Sequence, residues 1–397
     1  MRREHWLVFL TGLTIVFDGI DNQLLGVVIP KLMNEWKLAR PAFAPVVSLG
    51  YVGMMAGGAL AGMAGDRFGR KRALLASTAV FGLMTLATSS VHDVTTLAAL
   101  RFLTGLGLGG ALPNAATLAA EYVSPAGRPL AVTATIVCVP IGGVLAGLLG
   151  SQFLEAAGWR ALFRTGGILP LVTVAVLVRL LPESPGFGNG RPARAPVASL
   201  FNAEFRRDTI ALWASFISCL LAVYLGFAWL PTVLASGGFD PGVASNGITA
   251  FNLGGVIGAL AGGALFSRIG SRPAMLTMAL GAVAGAIVLS RMSISVAGPL
   301  APIMVMLTIT GGLINATQTT MYALATNVYP AASRATGVGA ATAVGRTGAI
   351  VSGYAGPWAL GLGGSASYFV VIGAAMAVCA GALACVKRHV PRSTPRS

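Results

Sequence analysis

The sequence predicts an all-α membrane protein whose twelve transmembrane helices form two pseudo-symmetric six-helix bundles. Of its 397 residues, 55% are hydrophobic and only 10% are charged, whereas soluble domains carry about 25% charged residues. The mean hydropathy is +0.79. Too few polar residues remain to cover a water-soluble globule, and a disordered chain would be richer in charge. The number of long apolar runs in the sequence then predicts the number of transmembrane helices.

A helix that crosses about 30 Å of hydrocarbon needs roughly 20 mostly apolar residues, and twelve runs of the sequence meet this requirement. The runs are too long for membrane β-strands and do not alternate in polarity. The first run lacks the small-residue cleavage site of a signal peptide. The predicted spans are residues 6–29, 43–65, 73–90, 95–120, 129–153, 162–181, 209–234, 243–266, 273–290, 297–325, 336–361 and 367–386.

The net charge of +15 predicts the orientation of the chain rather than a nucleic-acid partner. Nucleic-acid-binding domains cluster Lys and Arg on one face, whereas here these residues stand in short breaks between apolar runs. With the N-terminus inside, 19 of the 27 Lys and Arg residues fall on the inner side and 6 on the outer side. Both termini are therefore predicted to be cytoplasmic.

The longest polar break, residues 182–208, separates the sixth run from the seventh and predicts a linker between two halves. The expected domains are residues 1–185, a cytoplasmic linker at 186–208, residues 209–389 and a basic tail at 390–397. An internal repeat supports this division, because a shift of 201 positions aligns six identical residues. The aligned pairs are Gly53 and Gly254, Gly57 and Gly258, Gly62 and Gly263, Arg67 and Arg268, Gly69 and Gly270, and Leu75 and Leu276.

A glycine-rich basic loop between the second and third runs carries the most specific motif. It reads Gly62-Met-Ala-Gly65-Asp66-Arg67-Phe-Gly69-Arg70-Lys71-Arg72 and resembles the signature loop of the major facilitator superfamily of secondary transporters. The resemblance implies the major facilitator fold. It also implies a gating role at the cytoplasmic side for Gly62, Asp66, Arg67, Gly69, Arg70 and Lys71. The second copy, residues 263–273, has Ser267 in place of the acid, so a latch is expected to be weaker there.

Two carboxylates, Asp18 and Asp21, lie inside the first predicted span, where ionisable residues are costly and mark function. Their spacing places both on one face of a helix. Burial and mutual repulsion disfavour the charged form, so at least one is expected to take up protons readily. We therefore predict that both couple transport to protons. The alternative is that they cap a neighbouring helix or pair with a fixed arginine.

The pattern Asp18-Gly-x-Asp21 resembles the aromatic acid:proton symporter branch of the superfamily. Segments of the fourth, sixth and eleventh spans resemble it as well, at residues 101–121, 181–185 and 334–348. The resemblance covers nearly the whole chain. It implies a proton-coupled importer, in a bacterial inner membrane, of a carboxylate that is 3-(3-hydroxyphenyl)propionate-like or hydroxybenzoate-like.

Two arginines, Arg101 and Arg346, lie within apolar spans, one in each half. A buried guanidinium needs a partner, and a substrate carboxylate fits its bidentate fork. The alternatives are a permanent pair between Arg101 and one of the aspartates, or a side chain that reaches the interface. Other candidates for the substrate site are polar and aromatic residues of spans four, seven, eight and ten. They are Asn114, Tyr224, Trp229, Asn252, Asn315, Gln318 and Tyr322.

These features predict a monomeric importer that works by alternating access, with a small aromatic carboxylate, protons and the lipid bilayer as partners. The alternative within transport is an exporter of drugs or metabolites, although cationic drugs should avoid the intramembrane arginines. An enzyme is not expected, because the sequence has no nucleophile–base pair, cofactor motif or metal-ligand cluster. No cofactor and no metal are therefore predicted.

Overall fold

The chain folds into long α-helices in a computed structural model that describes residues 3–124, 127–184 and 196–391. Within these ranges there are α-helices and short 3₁₀-helices but no β-strand, in agreement with the predicted all-α class. The α-helices are α1 (Arg3–Trp36), α2 (Ala44–Phe68), α3 (Arg70–Thr88), α4 (Val94–Tyr122), α5 (Arg128–Leu180), α6 (Arg206–Ser236), α7 (Pro241–Ile269), α8 (Ser271–Arg291), α9 (Leu300–Val328) and α10 (Ala331–Cys385). A 3₁₀-helix at Val197–Phe201 lies inside the predicted linker, part of which falls outside the described residues.

The two longest helices, α5 and α10, are each interrupted by glycine. Gly158 in α5 has a φ of 76°, and Gly364 in α10 has a φ of 63°. Both angles lie in the left-handed region that residues with a Cβ rarely adopt. When each side of a break is counted separately, the described helices give twelve segments, which is compatible with the twelve predicted spans. Without that separation, nine helices of the described chain are long and apolar enough to cross a membrane.

The chain divides into two compact units by its internal contacts. The first contains Met1–Gly190, Leu230–Ala235 and Asp240–Thr249, and the second contains Arg191–Trp229, Ser236–Phe239 and Ala250–Ser397. The predicted boundaries at residues 185 and 209 remain a prediction, because contact density alone does not define a folding domain.

Glycines bring α2 and α4 of the first unit into backbone contact. A Cβ built on Gly53 would lie 2.1 Å from the carbonyl oxygen of Phe102, and one on Gly57 would lie 2.1 Å from that of Leu106. The second unit repeats this contact between α7 and α9, at Gly254 and Gly258. Without a hydrophobic effect between helices in lipid, such close approach supplies much of the packing energy. The repeat found in the sequence is thus a repeat of helix contacts.

A methyl group at this contact should destabilise the second unit. In a Gly254→Ala variant the new Cβ would lie 1.8 Å from the carbonyl oxygen of Thr308, so α7 and α9 must separate. We expect a loss of about 1–3 kcal/mol, measured as a lower midpoint of thermal unfolding in detergent. Gly263→Ala is the matched control on the same helix, because no atom lies within 4 Å of its new Cβ. Equal midpoints for the two variants would contradict the proposed role of the contact.

The turns that follow α2 and α7 have the same backbone geometry. Gly69 has φ 102° and ψ 146°, and its repeat partner Gly270 has φ 88° and ψ 162°. Two residues later, Lys71 Nζ donates to the carbonyl of Val178 at 2.9 Å. In the second unit Arg272 Nη2 donates to the carbonyl of Ala384 at 3.4 Å. Each basic side chain therefore joins the turn to the last helical segment of its own unit.

The segment after α10 is bound to the start of α8 through a histidine. Ser271 Oγ lies 2.9 Å from His389 Nδ1, and His389 Nε2 lies 3.2 Å from the carbonyl oxygen of Leu383. The Val390 amide also donates to Ser271 Oγ at 2.8 Å. These contacts suit a neutral imidazole whose Nδ1 accepts from the serine and whose Nε2 donates to the carbonyl. Protonation of Nδ1 would prevent this atom from accepting the hydrogen bond of Ser271.

Acidification should therefore weaken the attachment of this segment. Burial, with the charge of Arg272, lowers the pKa of His389 below its ordinary value of 6.5, against opposing effects of the Leu383 carbonyl and Asp208. The unfolded chain then binds a proton first, so stability is full above pH 6.5 and falls as the pH drops toward the folded pKa. We expect the difference in unfolding midpoint between the wild type and His389→Gln to decrease as the pH is lowered from about 8 to about 5. A constant difference between the two proteins would contradict this expectation.

Candidate functional site

A buried ion pair joins α1 to α4 in the first unit. Arg101 Nη2 lies 3.1 Å from Asp21 Oδ1 and 3.4 Å from Oδ2. Thr85 of α3 donates to the same Oδ1 at 2.7 Å. Asp21 is fully buried, Arg101 is 4% exposed, and the guanidinium lies 5.5 Å from the ring centre of Phe163. We call Asp21, Thr85 and Arg101 the acid–arginine cluster, and its pairing matches the alternative that the sequence left open for Arg101.

The second aspartate lies beside the crossing of α1 with α5. Asp18 is 3% exposed. Gly19, the next residue, faces the backbone of α5, where a Cβ would lie 2.2 Å from the carbonyl oxygen of Val139. Gly142 of α5 faces Val16 of α1 in the same way. The glycine inside the Asp-Gly-x-Asp pattern thus allows the close helix crossing at which both carboxylates are buried.

In the second unit, four predicted substrate residues from three helices come together. The Tyr322 hydroxyl is hydrogen-bonded to Gln318, one turn earlier on α9, and interacts electrostatically with Arg346 of α10 and Tyr224 of α6. We call these four residues the tyrosine–arginine cluster. The ring of Phe216 packs edge-on against Tyr322 at 5.3 Å. The cluster combines one cation, two phenols, an amide and aromatic surface.

The two intramembrane arginines differ in their partners. Arg101 has a carboxylate, whereas Arg346 is half-buried and forms no salt bridge with any described residue. A guanidinium inside an apolar bundle is costly without an anion. Arg346 is therefore the intramembrane arginine whose charge is not balanced by a salt bridge to any described residue.

The signature loop is held together by Arg70. Its guanidinium forms an ion pair with Asp66, and its Nη1 donates to Asn114 Oδ1 at 3.2 Å. Asn114 Nδ2 donates to the carbonyls of Gly110 at 2.8 Å and Ala61 at 3.3 Å. Asn114, predicted as a substrate residue, is thus bonded to the signature loop.

Glu183 binds the signature loop, a contact that the sequence alone did not predict although the segment 181–185 carries part of the family resemblance. Its Oε1 accepts from the Lys71 amide at 2.8 Å, at the first turn of α3. A carboxylate there bonds an otherwise unsatisfied donor and is favoured by the helix dipole. The available signal was an acid directly after the sixth span, on the same predicted side as the loop. Nearby, Tyr122 donates to the carbonyl of Pro182 at 2.6 Å.

The remaining predicted substrate residues are buried within the second unit. Trp229 is fully buried, and its Nε1 donates to the Ser352 carbonyl at 3.1 Å. Asn315 donates to the Gly311 carbonyl of its own helix at 2.8 Å. Asn252 is fully buried on α7. The indole donor of Trp229 is already used in packing, so this residue has less capacity to bind a ligand than the tyrosine–arginine cluster.

Two glycines of the signature loop should respond differently to alanine. In Gly69→Ala the side chain must adopt a φ of 102°, and its Cβ would lie 2.4 Å from Glu183 Oε2. We expect a loss of about 1–3 kcal/mol, seen as a lower midpoint of thermal unfolding. Gly62 lies inside α2 with no atom within 4 Å of a new Cβ, so Gly62→Ala should be neutral or stabilising. Similar destabilisation by both would show that the turn geometry is not the cause.

Comparison with known proteins identifies the family. The Major Facilitator Superfamily profile matches residues 11–346 and 238–397. The chain belongs to this superfamily, and the family resemblance predicted from the signature loop is confirmed. Among the described residues, no group of three or more His, Cys, Asp and Glu side chains is placed to hold a metal ion.

Similar proteins of this superfamily are named as transporters of aromatic acids. The chain is 37% identical to a 3-(3-hydroxy-phenyl)propionate transporter of Escherichia coli over 86% of its own length and 83% of the relative's. It is 34% identical to a gallate transporter of Pseudomonas putida, over 90% and 86% of the two lengths. It is 33% identical to the 4-hydroxybenzoate transporter PcaK of the same species, over 91% and 88%.

A solved structure with a similar fold is the xylose transporter XylE from E. coli. It has a TM-score of 0.76 and 17% sequence identity, and the similarity covers 99% of this chain and 98% of that one. A crystal structure of a D-xylose-proton symporter gives a TM-score of 0.75, also at 17% identity, with 97% of each chain covered. At this identity the comparison supports the major facilitator fold and carries no information on substrate.

Proposed function

We propose that the chain imports an aromatic carboxylate together with protons, by alternating access. The observation that carries the proposal is Arg346, a half-buried cation that interacts with the Tyr322 phenol and has no salt-bridge partner among the described residues. The same phenol also interacts with Gln318 and Tyr224. The relatives named above transport gallate, 3-(3-hydroxy-phenyl)propionate and 4-hydroxybenzoate, and each of these combines a carboxylate with a hydroxylated ring. One cation and several hydroxyl-binding groups suit that combination.

Within the tyrosine–arginine cluster, the substrate carboxylate binds Arg346 and the ring stacks near the tyrosines. A guanidinium can hold a carboxylate through two parallel hydrogen bonds, and such charge-assisted bonds are about twice as strong as neutral ones. The Gln318 amide and the tyrosine hydroxyls can donate to or accept from a ring hydroxyl. The aromatic side chains around them provide the apolar surface that a benzene ring requires.

The acid–arginine cluster supplies the proton coupling. Asp21 forms an ion pair with Arg101 and accepts a hydrogen bond from Thr85, while Asp18 is 3% exposed and lies one helical turn away. Asp18, Asp21 and Arg101 together carry one net negative charge, so the uptake of one proton by the aspartate pair leaves the three side chains neutral overall. A neutral group of side chains costs less to enclose when the bundles change their orientation, and Arg101 keeps a carboxylate partner.

We also propose that the protein lies in a bacterial inner membrane with both termini in the cytoplasm and acts as a monomer. The excess of Lys and Arg on the predicted inner side supports the orientation. The bacterial origin of the relatives supports the membrane. Protease or thiol-reagent access to a tag at either terminus, in intact cells and in inverted vesicles, would test the orientation.

Uptake into proteoliposomes with an imposed pH gradient tests the proposal as a whole. With the outside acidic, we expect accumulation of labelled 3-(3-hydroxyphenyl)propionate, gallate or 4-hydroxybenzoate above the outside concentration. The accumulation should collapse when a proton ionophore is added. Uptake that is independent of the gradient would contradict proton coupling. Transport of organic cations in place of these acids would favour the exporter alternative.

A further inference from the structure

Three sulfur atoms from three helical segments meet inside the second unit. They belong to Cys219 of α6, Met321 of α9 and Cys379 of α10, and all three residues are fully buried. Cys379 Sγ lies 4.0 Å from Met321 Sδ, and the thiols of Cys219 and Cys379 are in hydrogen-bonding contact. We call these residues the sulfur cluster. The other two cysteines differ: Cys138 is half-buried in the first unit, and Cys385 is exposed.

The chemistry of this cluster fits one class of ligand. Thiolate and thioether sulfur are soft ligands, which select ions such as Cu(I) over Mg²⁺ or Ca²⁺. Three sulfur ligands arranged around one ion, each about 2.3 Å from it, stand about 4.0 Å apart. The distance between Cys379 Sγ and Met321 Sδ has this value before any ion is bound. One of the three sulfur–sulfur distances of the cluster therefore already has the spacing that three-coordinate binding requires.

The charge balance also favours a monovalent ion. When an ion of charge +1 binds, one thiol becomes a thiolate and releases its proton, while the second thiol and the thioether coordinate without a change in charge. The site stays neutral overall, so the apolar bundle encloses no new net charge. A divalent ion would need both thiolates to reach the same neutrality.

We propose that Cys219, Met321 and Cys379 form a binding site for one soft monovalent metal ion, Cu(I) or Ag(I). The site is next to the tyrosine–arginine cluster, because Met321 precedes Tyr322 and the Cys219 thiol interacts electrostatically with the Tyr322 hydroxyl. An ion bound by all three sulfur atoms would link α6, α9 and α10 at this place. Resting on the proposed transport function, we infer that the ion inhibits uptake.

Silver binding to the purified full chain tests the site directly. The reference is the Cys138→Ser, Cys385→Ser protein, which keeps only the two clustered cysteines. We expect it to bind one Ag⁺ per chain and to be stabilised against thermal unfolding by that ion. Cys219→Ala or Cys379→Ala in this background should abolish the stabilisation, and Met321→Leu should weaken binding about tenfold or more. The complementary Cys219→Ala, Cys379→Ala protein, which keeps Cys138 and Cys385, should show no shift.

The outcomes separate the site from the transport role. Stabilisation by silver that depends on Cys138 or Cys385, or that persists without Cys219 and Cys379, would overturn the site. If either alanine variant fails to fold, the corresponding serine variant and the Met321→Leu variant still show whether silver binds at the sulfur cluster or elsewhere. Silver should block uptake by the reference protein and spare the protein without Cys219 and Cys379. Stoichiometric binding with normal uptake would overturn the inhibition alone, and a reference protein that binds silver but never transports would count against the proposed function only.

Discussion

Replacing Asp21 with asparagine is expected to abolish accumulation of substrate and to destabilise the first unit. The carboxylate is the partner of the buried Arg101 guanidinium, 3.1 Å away. An amide leaves that charge inside the bundle without a counter-ion, and the loss of one partner from a buried pair costs about 3–5 kcal/mol. Thermal unfolding in detergent and gradient-driven uptake in proteoliposomes measure the two effects separately.

Two controls separate the role of Asp21 in stability from its role in coupling. Glu35→Gln removes an acid from the same helix, but its pair with Arg160 is about one-third exposed, so the stability should change by less than about 1 kcal/mol. The double variant Asp21→Asn, Arg101→Gln removes both charges and should recover much of the stability without recovering accumulation. If the double variant accumulated substrate like the wild type, the acid–arginine cluster would have no part in proton coupling.

The architecture could be predicted from composition and run length because the bilayer imposes both. The gaps predicted between the fifth and sixth spans and between the eleventh and twelfth contain Gly158 and Gly364, where α5 and α10 are interrupted. The ends of the helices could be predicted less well from the sequence. The first span is predicted to end at residue 29, but α1 continues to Trp36, because Glu35 and Trp36 contact the start of the sixth span through Trp159. Hydropathy does not detect such polar and aromatic contacts at the interface.

The sequence could name candidate residues for the site one by one, but it could not choose between the alternative partners of each residue. Ionisable groups inside apolar runs identified Asp21, Arg101 and Arg346 as candidates, since the cost of burial applies wherever the helices lie. The pairing of residue 21 with residue 101 depends on the rotation and depth of α1 relative to α4. A single sequence does not specify how α1 is rotated and shifted relative to α4. For the same reason, Asn114 was assigned to the substrate although the structure bonds it to Arg70.

A second prediction concerns Arg346 and the affinity for the carboxylate of the substrate. Replacing Arg346 with glutamine should weaken binding of an aromatic carboxylate about 10- to 100-fold, because a hydrogen bond to a charged group contributes about 1.5–3 kcal/mol. Stability should not fall, since the half-buried guanidinium has no carboxylate partner among the described residues. Arg346→Lys should give an intermediate affinity, because a lysine keeps the charge but loses the bidentate geometry.

Ligand-dependent thermal stabilisation measures this affinity without requiring transport, and the initial rate of uptake measures it independently. Arg334→Gln is the matched control, because this arginine is exposed at the start of the same helix. The control should bind and transport like the wild type. The uncharged alcohol analogue of the substrate should bind the wild type and Arg346→Gln equally weakly, since only the carboxylate uses the guanidinium. If Arg346→Gln bound the acid as tightly as the wild type, the carboxylate would have to be held elsewhere, and Arg101 could take it only by giving up Asp21.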